Sequence, residues 1–392
     1  MNERTGNILT TPKILILTGS YGNGHLEVTN ALVAELNKRG ITDIVISDLF
    51  YEAHPILTSF TKQLYLKSFT KGQSIYGFLY YNSDARLTDF RIDRIIDRYG
   101  YMRISQLMNS YDFDVVINTF PMQALPIYKQ KNEHNIPFVN VLTDFSLHSR
   151  WLSEEIDHFF IAGKSLKKEL TNSGISSDKI TISGIPIKEE FYNTKTLFSN
   201  KTNDSVHPKE LLISAGAFGV IKNLPILIEE LYHQNNLNIT VVCGRNHELY
   251  NLLLTKFTGI SSILILGYVE DMASLMRQAD IMVTKPGGIS LSEALAIQVP
   301  LVLTPAVPGQ EFDNAKLFEI EGMALITHEE EEIVPAILFL LKNTSFSTEL
   351  KKNMEKYFYP TAAATIIDKV LTISKKTTSS KENSHGKKTI NP

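Results

Sequence analysis

The stretch DIMVTKPGGISLSEALAIQVPLVLT, residues 280 to 304, decides the fold of this chain. It opens with a short apolar run, passes through KPGGISLSEAL (285 to 295), a glycine turn that leads into a helical segment, and closes with a second apolar run, PLVLT (300 to 304). A strand, a turn, a helix and another strand in this order predict a parallel β-α-β unit. In such units the carboxyl end of the first strand, where these glycines lie, borders a ligand-binding edge of the sheet.

The glycine turn of this unit has two interpretations. Gly287 and Gly288 let the backbone approach a ligand closely, and the helix that follows offers unpaired N–H groups and a positive dipole end to an anion such as a phosphate. Alternatively, Ser290 and Glu293 form an S-x-x-E capping box that closes the helix without any ligand. This stretch alone leaves both interpretations open.

The same alternation of short β-branched runs and longer amphipathic segments continues along the chain. Further predicted strands are KILILT (13 to 18), DIVISD (43 to 48), DVVINT (114 to 119), FVNVLT (138 to 143), ELLISA (210 to 215), ITVVC (239 to 243) and ILIL (263 to 266). This alternation predicts an α/β protein with two doubly wound, Rossmann-like domains that face a central cleft. The predicted parts are an N-terminal domain over 1–195, a polar linker over 196–208, a C-terminal domain over 209–374 and a disordered tail over 375–392.

Composition sets further bounds on function. The chain has 392 residues, of which 43% are apolar, which is ample for two cores. A formal net charge of -3 gives no basic field for nucleic acid. The single cysteine, Cys243, excludes an internal disulfide and a multi-cysteine metal site, and is predicted to fill a core. We expect a cytoplasmic protein with no metal or other cofactor and no membrane span, because neither metal-ligand spacing nor a sufficiently long apolar run occurs.

One segment, residues 54 to 103, breaks the alternation because it interleaves aromatic and basic residues at helical spacing, as in KQLYLKSF and DFRIDRIIDRYGYMR. Such a composition suits a membrane interface, where rings lie at headgroup level and cations meet anionic lipid. It also suits an ordinary helical insertion whose aromatics are core and whose charges are solvated. Composition by itself favours the second interpretation.

The first strand ends in a second glycine loop, TGSYGNGH (18 to 25). A histidine at a helix N-terminus has its positive form disfavoured by the helix dipole, so His25 stays neutral and is a candidate general base. A dinucleotide site is a competing interpretation, because Asp48 ends the second strand where a ribose-binding acid would lie. The spacing here is G-x-x-G-x-G, however, instead of the dinucleotide pattern G-x-G-x-x-G. His25 is otherwise a structural hydrogen bonder.

Polar groups at other strand ends are also candidates. Asp144, in LTDFSLHSRW (142 to 151), is a second candidate base, a partner that orients His25, or a helix cap. Arg245 either meets a phosphate or forms a surface salt bridge. The loop SAGAFG (214 to 219) is a possible second anion site. In PAVPGQEFDNA (305 to 315), paired amides and carboxylates indicate hydrogen bonds to sugar hydroxyls, or else solvated polar groups of a capped helix, and the residues concerned are Gln310, Glu311 and Asn314.

Taken in order, TGSYGNGH, SAGAFG, LGYVEDM, KPGGISLSEAL and PGQEFDNA resemble the motifs of GT-B glycosyltransferases, the group that includes MurG and plant monogalactosyldiacylglycerol synthase. DLFYEAHPILTS (48 to 59) and TDFSLHSRW are similar to the processive diacylglycerol β-glucosyltransferases of Gram-positive bacteria. The resemblance implies an inverting transfer of glucose from UDP-glucose to 1,2-diacylglycerol in an anionic membrane, and then to the monoglucosyl product. It further implies a peripheral enzyme at the cytoplasmic face of the cell membrane, whose diglucosyldiacylglycerol anchors lipoteichoic acid.

The resemblance also assigns roles to residues of this sequence. His25 is the implied base, with Asp144 assisting, and the acceptor-side loop is Gly22, Asn23 and Gly24. Glu293 matches the acid that holds the ribose hydroxyls, which favours the ligand interpretation of the glycine turn. The resemblance further places Gly287, Gly288 and Ile289 at the diphosphate, Gln310 and Glu311 at the sugar, and Tyr268 and Val269 at the uracil. From their positions at strand ends and turns, the other predicted donor-binding residues are Gly216, Phe218, Gly219, Arg245 and Asn314.

Three other functions stay open from the sequence. A related lipid glycosyltransferase could use UDP-galactose or UDP-GlcNAc, because Gln310 and Glu311 do not by themselves select the configuration at one carbon. A UDP-sugar 2-epimerase has the same fold class but needs no lipid-facing segment. A non-catalytic UDP-sugar sensor would bind nucleotide without turnover. The sequence gives no indication of oligomeric state.

Overall fold

The computed structural model describes residues 11–20, 23–53, 55, 91–132, 135–192, 208–215, 221, 223–234 and 236–385. Several predicted features lie outside these residues. They are Gly22 of the first glycine loop, Gly216, Phe218 and Gly219 of the second, residues 196–207 of the linker, and most of the aromatic segment 54–103. The two domains, their sheets and the cleft between them are otherwise described.

The first domain is built on a parallel six-stranded sheet with strand order β2-β1-β3-β4-β5-β6. Its strands are β1 (Ile14–Thr18), β2 (Ile44–Asp48), β3 (Val115–Asn118), β4 (Phe138–Val141), β5 (His158–Ile161) and β6 (Ile180–Ile182). Its helices are α1 (Asn23–Lys38), α2 (Leu49–Ala53), α3 (Arg91–Ser110), α4 (Ala124–Lys131) and α5 (Lys164–Asn172). The first four strands were predicted. The last two were not identified from the sequence, although β5 is as long as the predicted strands β3 and β4.

The second domain repeats the design with a parallel six-stranded sheet of order β12-β11-β10-β7-β8-β9. Its strands are β7 (Lys209–Ser214), β8 (Leu237–Val242), β9 (Ile263–Leu266), β10 (Ile281–Thr284), β11 (Leu301–Leu303) and β12 (Leu325–Ile326). Its helices are α6 (Leu224–Tyr232), α7 (His247–Lys256), α8 (Met272–Gln278), α9 (Gly288–Ile297), α10 (Gln310–Ile320), α11 (Ile333–Lys342) and α12 (Thr344–Glu355). All but β12 were predicted among the strands, so the β-α-β unit at residues 280 to 304 is confirmed.

Burial explains why these runs are strands. Every residue of β1 is buried, as expected for a parallel strand covered on both faces by helices. On β7 the side chains alternate between two hydrophobic clusters, since Leu211 and Ile213 pack on one face and Leu212 on the other. Cys243, at the end of β8, is fully buried in the same cluster as Leu211, which confirms its predicted role as core filling.

The strand orders fix where a ligand can bind. In the first sheet the chain passes from β1 to β2 on one side, and then crosses back over β1 to β3 on the other side. The strand order therefore reverses between β1 and β3. In the second sheet the same reversal lies between β7 and β10. Ligands of open α/β sheets bind at such reversals, outside the carboxyl ends of the strands. The residues that follow these four strands therefore define the candidate site.

The last helix, α13 (Ala362–His385), extends into the segment 375–392, for which the sequence predicts a disordered tail. The helix continues ten residues past 375, to His385, and residues 386–392 lie outside the described part. Its apolar residues return to the first domain, where Ile366, Ile367 and Val370 are fully buried in the cluster that contains β1. Arg39, directly after α1, donates to the main-chain oxygen of Ala364 at 3.2 Å and pairs with Asp368. These buried residues all precede residue 375, so the packing that holds α13 lies before the predicted tail.

Only the C-terminal part of the aromatic and basic segment is described, as the start of α3. There Arg103 pairs with the Glu52 carboxylate at 2.6 Å, and Asp97 pairs with Arg150 at 2.6 Å. Gly100 allows α3 to approach α4, because a Cβ atom there would lie 2.7 Å from the Cβ of Ala124. No helix within the described ranges is both long enough and apolar enough to cross a membrane.

Candidate active site between the two domains

His25 lies in the first turn of α1, directly beyond the reversal between β1 and β3. Its Nδ1 atom is 2.8 Å from the main-chain oxygen of Thr119, which follows β3, and 3.0 Å from Thr143 Oγ1, which follows β4. The Phe120 ring packs edge-on against the imidazole, with ring centroids 4.8 Å apart. A carbonyl oxygen can only accept, so the ring proton lies on Nδ1 and Nε2 keeps its lone pair.

The electrostatics of the site keep His25 neutral. Burial lowers its pKa from 6.5 to about 4, although the hydrogen bond to Thr119 and the nearby Asp48 carboxylate each act in the opposite direction. At neutral pH the imidazole is therefore an unprotonated acceptor at Nε2. This is the state that a general base requires.

Asp144 is held by the second domain. Its Oδ1 atom accepts from Asn314 Nδ2 at 3.1 Å, and its Oδ2 atom accepts from Gln310 Nε2 and, at 3.2 Å, from the Thr143 hydroxyl. The main-chain N–H of Gly288, at the start of α9, also donates to this carboxylate. Burial raises the pKa of Asp144, and these three donors from Asn314, Thr143 and Gly288 lower it in part. With its oxygens engaged in this way, Asp144 is better placed to orient other groups than to act as a second base.

The two glycines at the start of α9 have different surroundings. A Cβ atom at Gly288 would collide with the main-chain oxygen of Thr143 and lie 2.8 Å from Asp144 Oδ1, so this glycine is needed for contact between the domains. A Cβ atom at Gly287 would meet no described atom within 4 Å, so Gly287 borders open space. The close approach predicted for this turn thus occurs at Gly288, where the anion at the helix N-terminus is the Asp144 carboxylate. Ile289 packs across the cleft toward Gly24, whose Cβ would lie 3.5 Å from Ile289 Cγ1.

The capping-box interpretation of Ser290 and Glu293 is wrong. Helix α9 begins at Gly288 with Gly287 as its N-cap, and no side chain caps it. Ser290 therefore lies inside the helix, where its hydroxyl cannot take the N-cap position.

Glu293 instead faces charged residues of the first domain across the cleft. Its pKa is raised to about 8, chiefly by burial and also by the Glu27 and Glu190 carboxylates, while Lys188 acts in the opposite direction. Lys188 Nζ lies 3.3 Å from Glu27 Oε2. A carboxyl group in a cleft whose pKa lies near neutral pH is a candidate for ligand contact, since groups with such shifted pKa values concentrate at functional sites.

The three predicted sugar contacts are in different situations. Gln310, the first residue of α10, donates to Asp144. Glu311 Oε1 lies 3.5 Å from Lys285 Nζ, while Glu311 Oε2 is buried and has no hydrogen-bond partner among the described residues.

Asn314 is fully buried, with 0% of its surface exposed. Its amide group donates to Asp144 and, at 3.1 Å, to the main-chain oxygen of Pro286, and its Oδ1 accepts from the Phe145 N–H at 2.9 Å. Both amide hydrogens are used within the protein. This position gives Asn314 a role in joining the two domains, in place of the direct donor contact predicted from the sequence.

The predicted uracil-side residues lie at the carboxyl ends of β8 and β9. Tyr268 is 56% exposed, and the Arg245 guanidinium lies over its ring at 5.3 Å from the centroid. Val269 follows and packs partly buried against the large core cluster. Arg245 and Tyr268 together offer a flat aromatic face and a positive charge at the rim of the cleft. Among the described contacts Arg245 forms no salt bridge, which was the alternative considered for it.

The dinucleotide interpretation of the first glycine loop loses its main support. Asp48 Oδ2 accepts from the Ser20 N–H at 2.9 Å, and its Oδ1 accepts from the Tyr51 N–H at 3.2 Å. Both oxygens thus fix main chain of the loop and of α2. Gly19, which begins the loop, is needed because a Cβ atom there would collide with the Phe120 ring.

Sequence reasoning missed several residues that complete the site. Thr119 and Thr143 contact His25, and neither was singled out, because a threonine after a strand carries no motif of its own. Lys188 and Glu27 were also missed. The usable signal was position, since Thr119 and Thr143 both follow buried strands next to the reversal in strand order. Within the described ranges, no group of three or more His, Cys, Asp or Glu side chains is arranged to hold a metal ion.

Comparison with known families covers both halves of the chain. The family model for "Monogalactosyldiacylglycerol (MGDG) synthase" matches residues 25–187, and the model for "Glycosyl transferases group 1" matches residues 188–358. The chain is 39% identical over 367 residues to the processive diacylglycerol beta-glucosyltransferase of Bacillus cytotoxicus, with 93% of this chain and 94% of the relative covered. It is 38% identical over 374 residues to the protein of the same name from Bacillus cereus, with the same coverage.

Solved structures support the fold. MurG of Acinetobacter baumannii matches with a TM-score of 0.59 at 16% identity, over 92% of this chain and 100% of that chain. The UDP-GlcNAc 2-epimerase of Neisseria meningitidis, solved with UDP-GlcNAc bound, matches with a TM-score of 0.61 at 15% identity and the same coverage. At such identities the likeness shows the fold alone, and it confirms the predicted α/β GT-B fold with two doubly wound domains.

Proposed function

Because the chain belongs to the processive diacylglycerol β-glucosyltransferase family and is a glycosyltransferase, we propose that it transfers glucose from UDP-glucose to 1,2-diacylglycerol. A second transfer to the monoglucosyl product gives diglucosyldiacylglycerol, the glycolipid anchor of lipoteichoic acid. The names of the relatives support the donor sugar and acceptor. The enzyme works as a peripheral protein at the cytoplasmic face of the cell membrane, and the aromatic and basic composition of residues 54 to 103 supports contact with anionic lipid.

The observation that carries the proposal is the fixed tautomer of His25. Its Nδ1–H donates to the Thr119 carbonyl, which leaves Nε2 as an acceptor. His25 lies beyond the carboxyl ends of β1 and β3, between which the strand order reverses. A hydroxyl group of the acceptor lipid can donate its proton to this nitrogen. An imidazole that is neutral at working pH is a suitable base for that step.

The reaction is a single displacement with inversion. The acceptor oxygen attacks the anomeric carbon of glucose as its proton passes to His25 Nε2, the bond from that carbon to the diphosphate oxygen breaks, and UDP departs with the electron pair. The N-terminal end of α9, with open space at Gly287, provides a positive dipole for the developing charge. Glu293 accepts hydrogen bonds from the ribose hydroxyls, and side-chain oxygens of Gln310 and Glu311 contact the sugar.

The remaining donor contacts complete the assignment. The uracil of UDP lies beside Tyr268 and Val269, which follow β9. A phosphate of UDP lies beside Arg245, which follows β8. Contact between the domains excludes water, which would otherwise hydrolyse the donor. Asn23 and Gly24, in the first turn of α1, line the acceptor side next to His25.

The decisive experiment mixes purified protein with radiolabelled UDP-glucose and vesicles that contain diacylglycerol and anionic lipid, follows UDP release, and separates the lipids. We expect a monoglucosyl product that is later converted to the diglucosyl product. Vesicles without diacylglycerol and reactions with UDP-galactose or UDP-GlcNAc serve as controls. UDP release without labelled lipid would favour epimerase-like chemistry or another acceptor, and nucleotide binding without turnover would favour a sensor.

A further inference from the structure

A chain of hydrogen bonds connects His25 to the second domain through two adjacent residues. His25 Nδ1 lies 3.0 Å from Thr143 Oγ1, and Thr143 Oγ1 lies 3.2 Å from Asp144 Oδ2. Asp144 is in turn held by Asn314 and Gln310 of α10 and by the N–H of Gly288. The imidazole of the first domain is thus linked to the helix starts of the second.

The direction of each hydrogen bond follows from the groups involved. Because the proton on His25 Nδ1 is fixed by the Thr119 carbonyl, the Thr143 oxygen can only accept on the histidine side. Its single hydroxyl hydrogen is then free for the Asp144 carboxylate, which can only accept when ionised. The Thr143 lone pair therefore points at His25 as long as Asp144 holds the hydrogen.

The position of Asp144 depends on contact between the domains. Asn314, one of its donors, is itself fixed by the Phe145 N–H and the Pro286 carbonyl, and a side chain at position 288 is excluded by steric overlap with Asp144. Thr143 has 3% of its surface exposed and is enclosed at the end of β4. Thr143 and Asp144 are thus both held by hydrogen bonds at the contact between the domains.

We infer that Thr143 is a positioning residue for the base, because its hydroxyl holds the Nδ1 side of His25. The second domain fixes the position of Asp144, and Thr143 couples that position to the orientation of His25. This inference rests on the proposed function for the reaction that His25 serves. The consequence is that the base is fully aligned only when the donor-binding domain is in contact with the acceptor-binding domain. A polarised hydroxyl also stabilises the imidazolium that forms when Nε2 takes the acceptor's proton.

A purely structural role for Thr143 is the alternative, because a buried hydroxyl at a strand end also satisfies local hydrogen bonds. Thr143→Val keeps the shape and removes the hydroxyl, Thr143→Ser keeps the hydroxyl, and Asp144→Asn removes the charge. Thr327→Val is a matched control, since Thr327 is equally buried and its hydroxyl donates to the Leu303 carbonyl at 2.9 Å. Asp48, the other carboxylate near His25, is unchanged in all of these variants.

The first measurement is a double-mutant cycle on glucose transfer from UDP-glucose to diacylglycerol vesicles. We expect Thr143→Val to lower kcat about 10- to 100-fold with little change in the KM for UDP-glucose, and Thr143→Ser to restore most of the activity. In the Asp144→Asn background the same Val substitution should cost less than about threefold, because the chain is already broken. Equal losses in both backgrounds, or a loss in Thr327→Val as large as in Thr143→Val, would overturn the inference.

A second measurement does not depend on activity. The nitrogen-15 shift of His25 Nδ1 at pH 7, assigned with a His25→Asn variant, reports hydrogen bonding at that atom. We expect Thr143→Val and Asp144→Asn to move this shift, and Thr143→Ser to leave it near its original value. If the protein makes no glycolipid while these shifts move as expected, the proposed function fails and the positioning role stands. An unmoved shift in Thr143→Val contradicts the positioning role whatever the activity.

Discussion

The Nδ1 atom of His25 lies 2.8 Å from the main-chain oxygen of Thr119, although 94 residues separate the two in the chain. The two residues follow β1 and β3, which are neighbours in the first sheet, so the sheet itself brings them together. This contact decides which nitrogen of His25 can accept a proton. It therefore leaves Nε2 as the nitrogen that can accept a proton from a substrate.

Removal of the imidazole should affect turnover and not donor binding. We expect His25→Ala to lower kcat about 10²- to 10⁴-fold, the usual contribution of a general base, while the Kd for UDP-glucose stays within about twofold. Initial rates with diacylglycerol vesicles and titration calorimetry with UDP-glucose measure the two quantities. An equal loss of both, together with a lower Tm, would mean that His25 serves the structure of the cleft.

The activity should not decline where an ordinary histidine titrates. Since the pKa of His25 is lowered to about 4 by burial, the base stays unprotonated as the pH falls from 8 to about 5. We expect kcat, measured at saturating UDP-glucose so that donor binding does not contribute, to stay level over this range and to fall only near pH 4. A decline centred near pH 6.5 in kcat would contradict this prediction.

The buried carboxyl of Glu293 should make stability depend on pH. Its pKa in the folded protein is about 8, against an ordinary value of 4.5, so the folded state holds the proton more tightly than the unfolded chain does. The contribution to stability is complete below pH 4.5 and is lost as the pH rises through about 8. Glu293→Gln cannot ionise, so its Tm should equal that of the wild type near pH 4.5 and exceed it increasingly up to pH 8.5, as measured by calorimetry.

Two comparisons test this prediction about Glu293. The same substitution at the exposed Glu349 is the control and should give no pH-dependent difference. Glu293→Gln should also weaken UDP-glucose binding, on the order of tenfold, because one oxygen acceptor for the ribose hydroxyls is lost. Higher stability with unchanged donor affinity would separate the titration of Glu293 from the ribose contact.

The paired glycines at the start of α9 should respond differently to one added methyl group. Gly288→Ala should lower the Tm, because its Cβ would overlap Thr143 and Asp144 in the other domain. Gly287→Ala should fold with an unchanged Tm, since a Cβ there meets no described atom within 4 Å, yet weaken UDP-glucose binding on the order of tenfold. Thermal unfolding and calorimetry of the two variants provide the test. Normal UDP-glucose binding in Gly287→Ala would mean that the diphosphate does not bind at this turn.

Much of the fold was readable from local pattern. Runs such as ILILT at 14 to 18 are apolar because a parallel strand covered by helices is buried on both faces, and the glycine turns between strand and helix mark the carboxyl edge. The same pattern failed at β5, β6 and α13. β5 and β6 are no shorter than β4 and β11, respectively, which were predicted, and the packing of α13 on the first domain is a long-range contact that local pattern does not encode.

The sequence by itself determined the two-domain α/β architecture, the strand ends that carry polar side chains, and His25 as the candidate base, because periodicity and turn chemistry are local properties of the chain. The tertiary structure alone decided the partners. Asp144 and Asn314 are 170 residues apart in the chain and 3.1 Å apart in space, and no local pattern encodes such a pair. Contact between the domains therefore decides that the Asp144 carboxylate of the first domain binds groups of the second domain. It also decides that Asn314, predicted as a sugar contact, is a buried amide that holds this carboxylate.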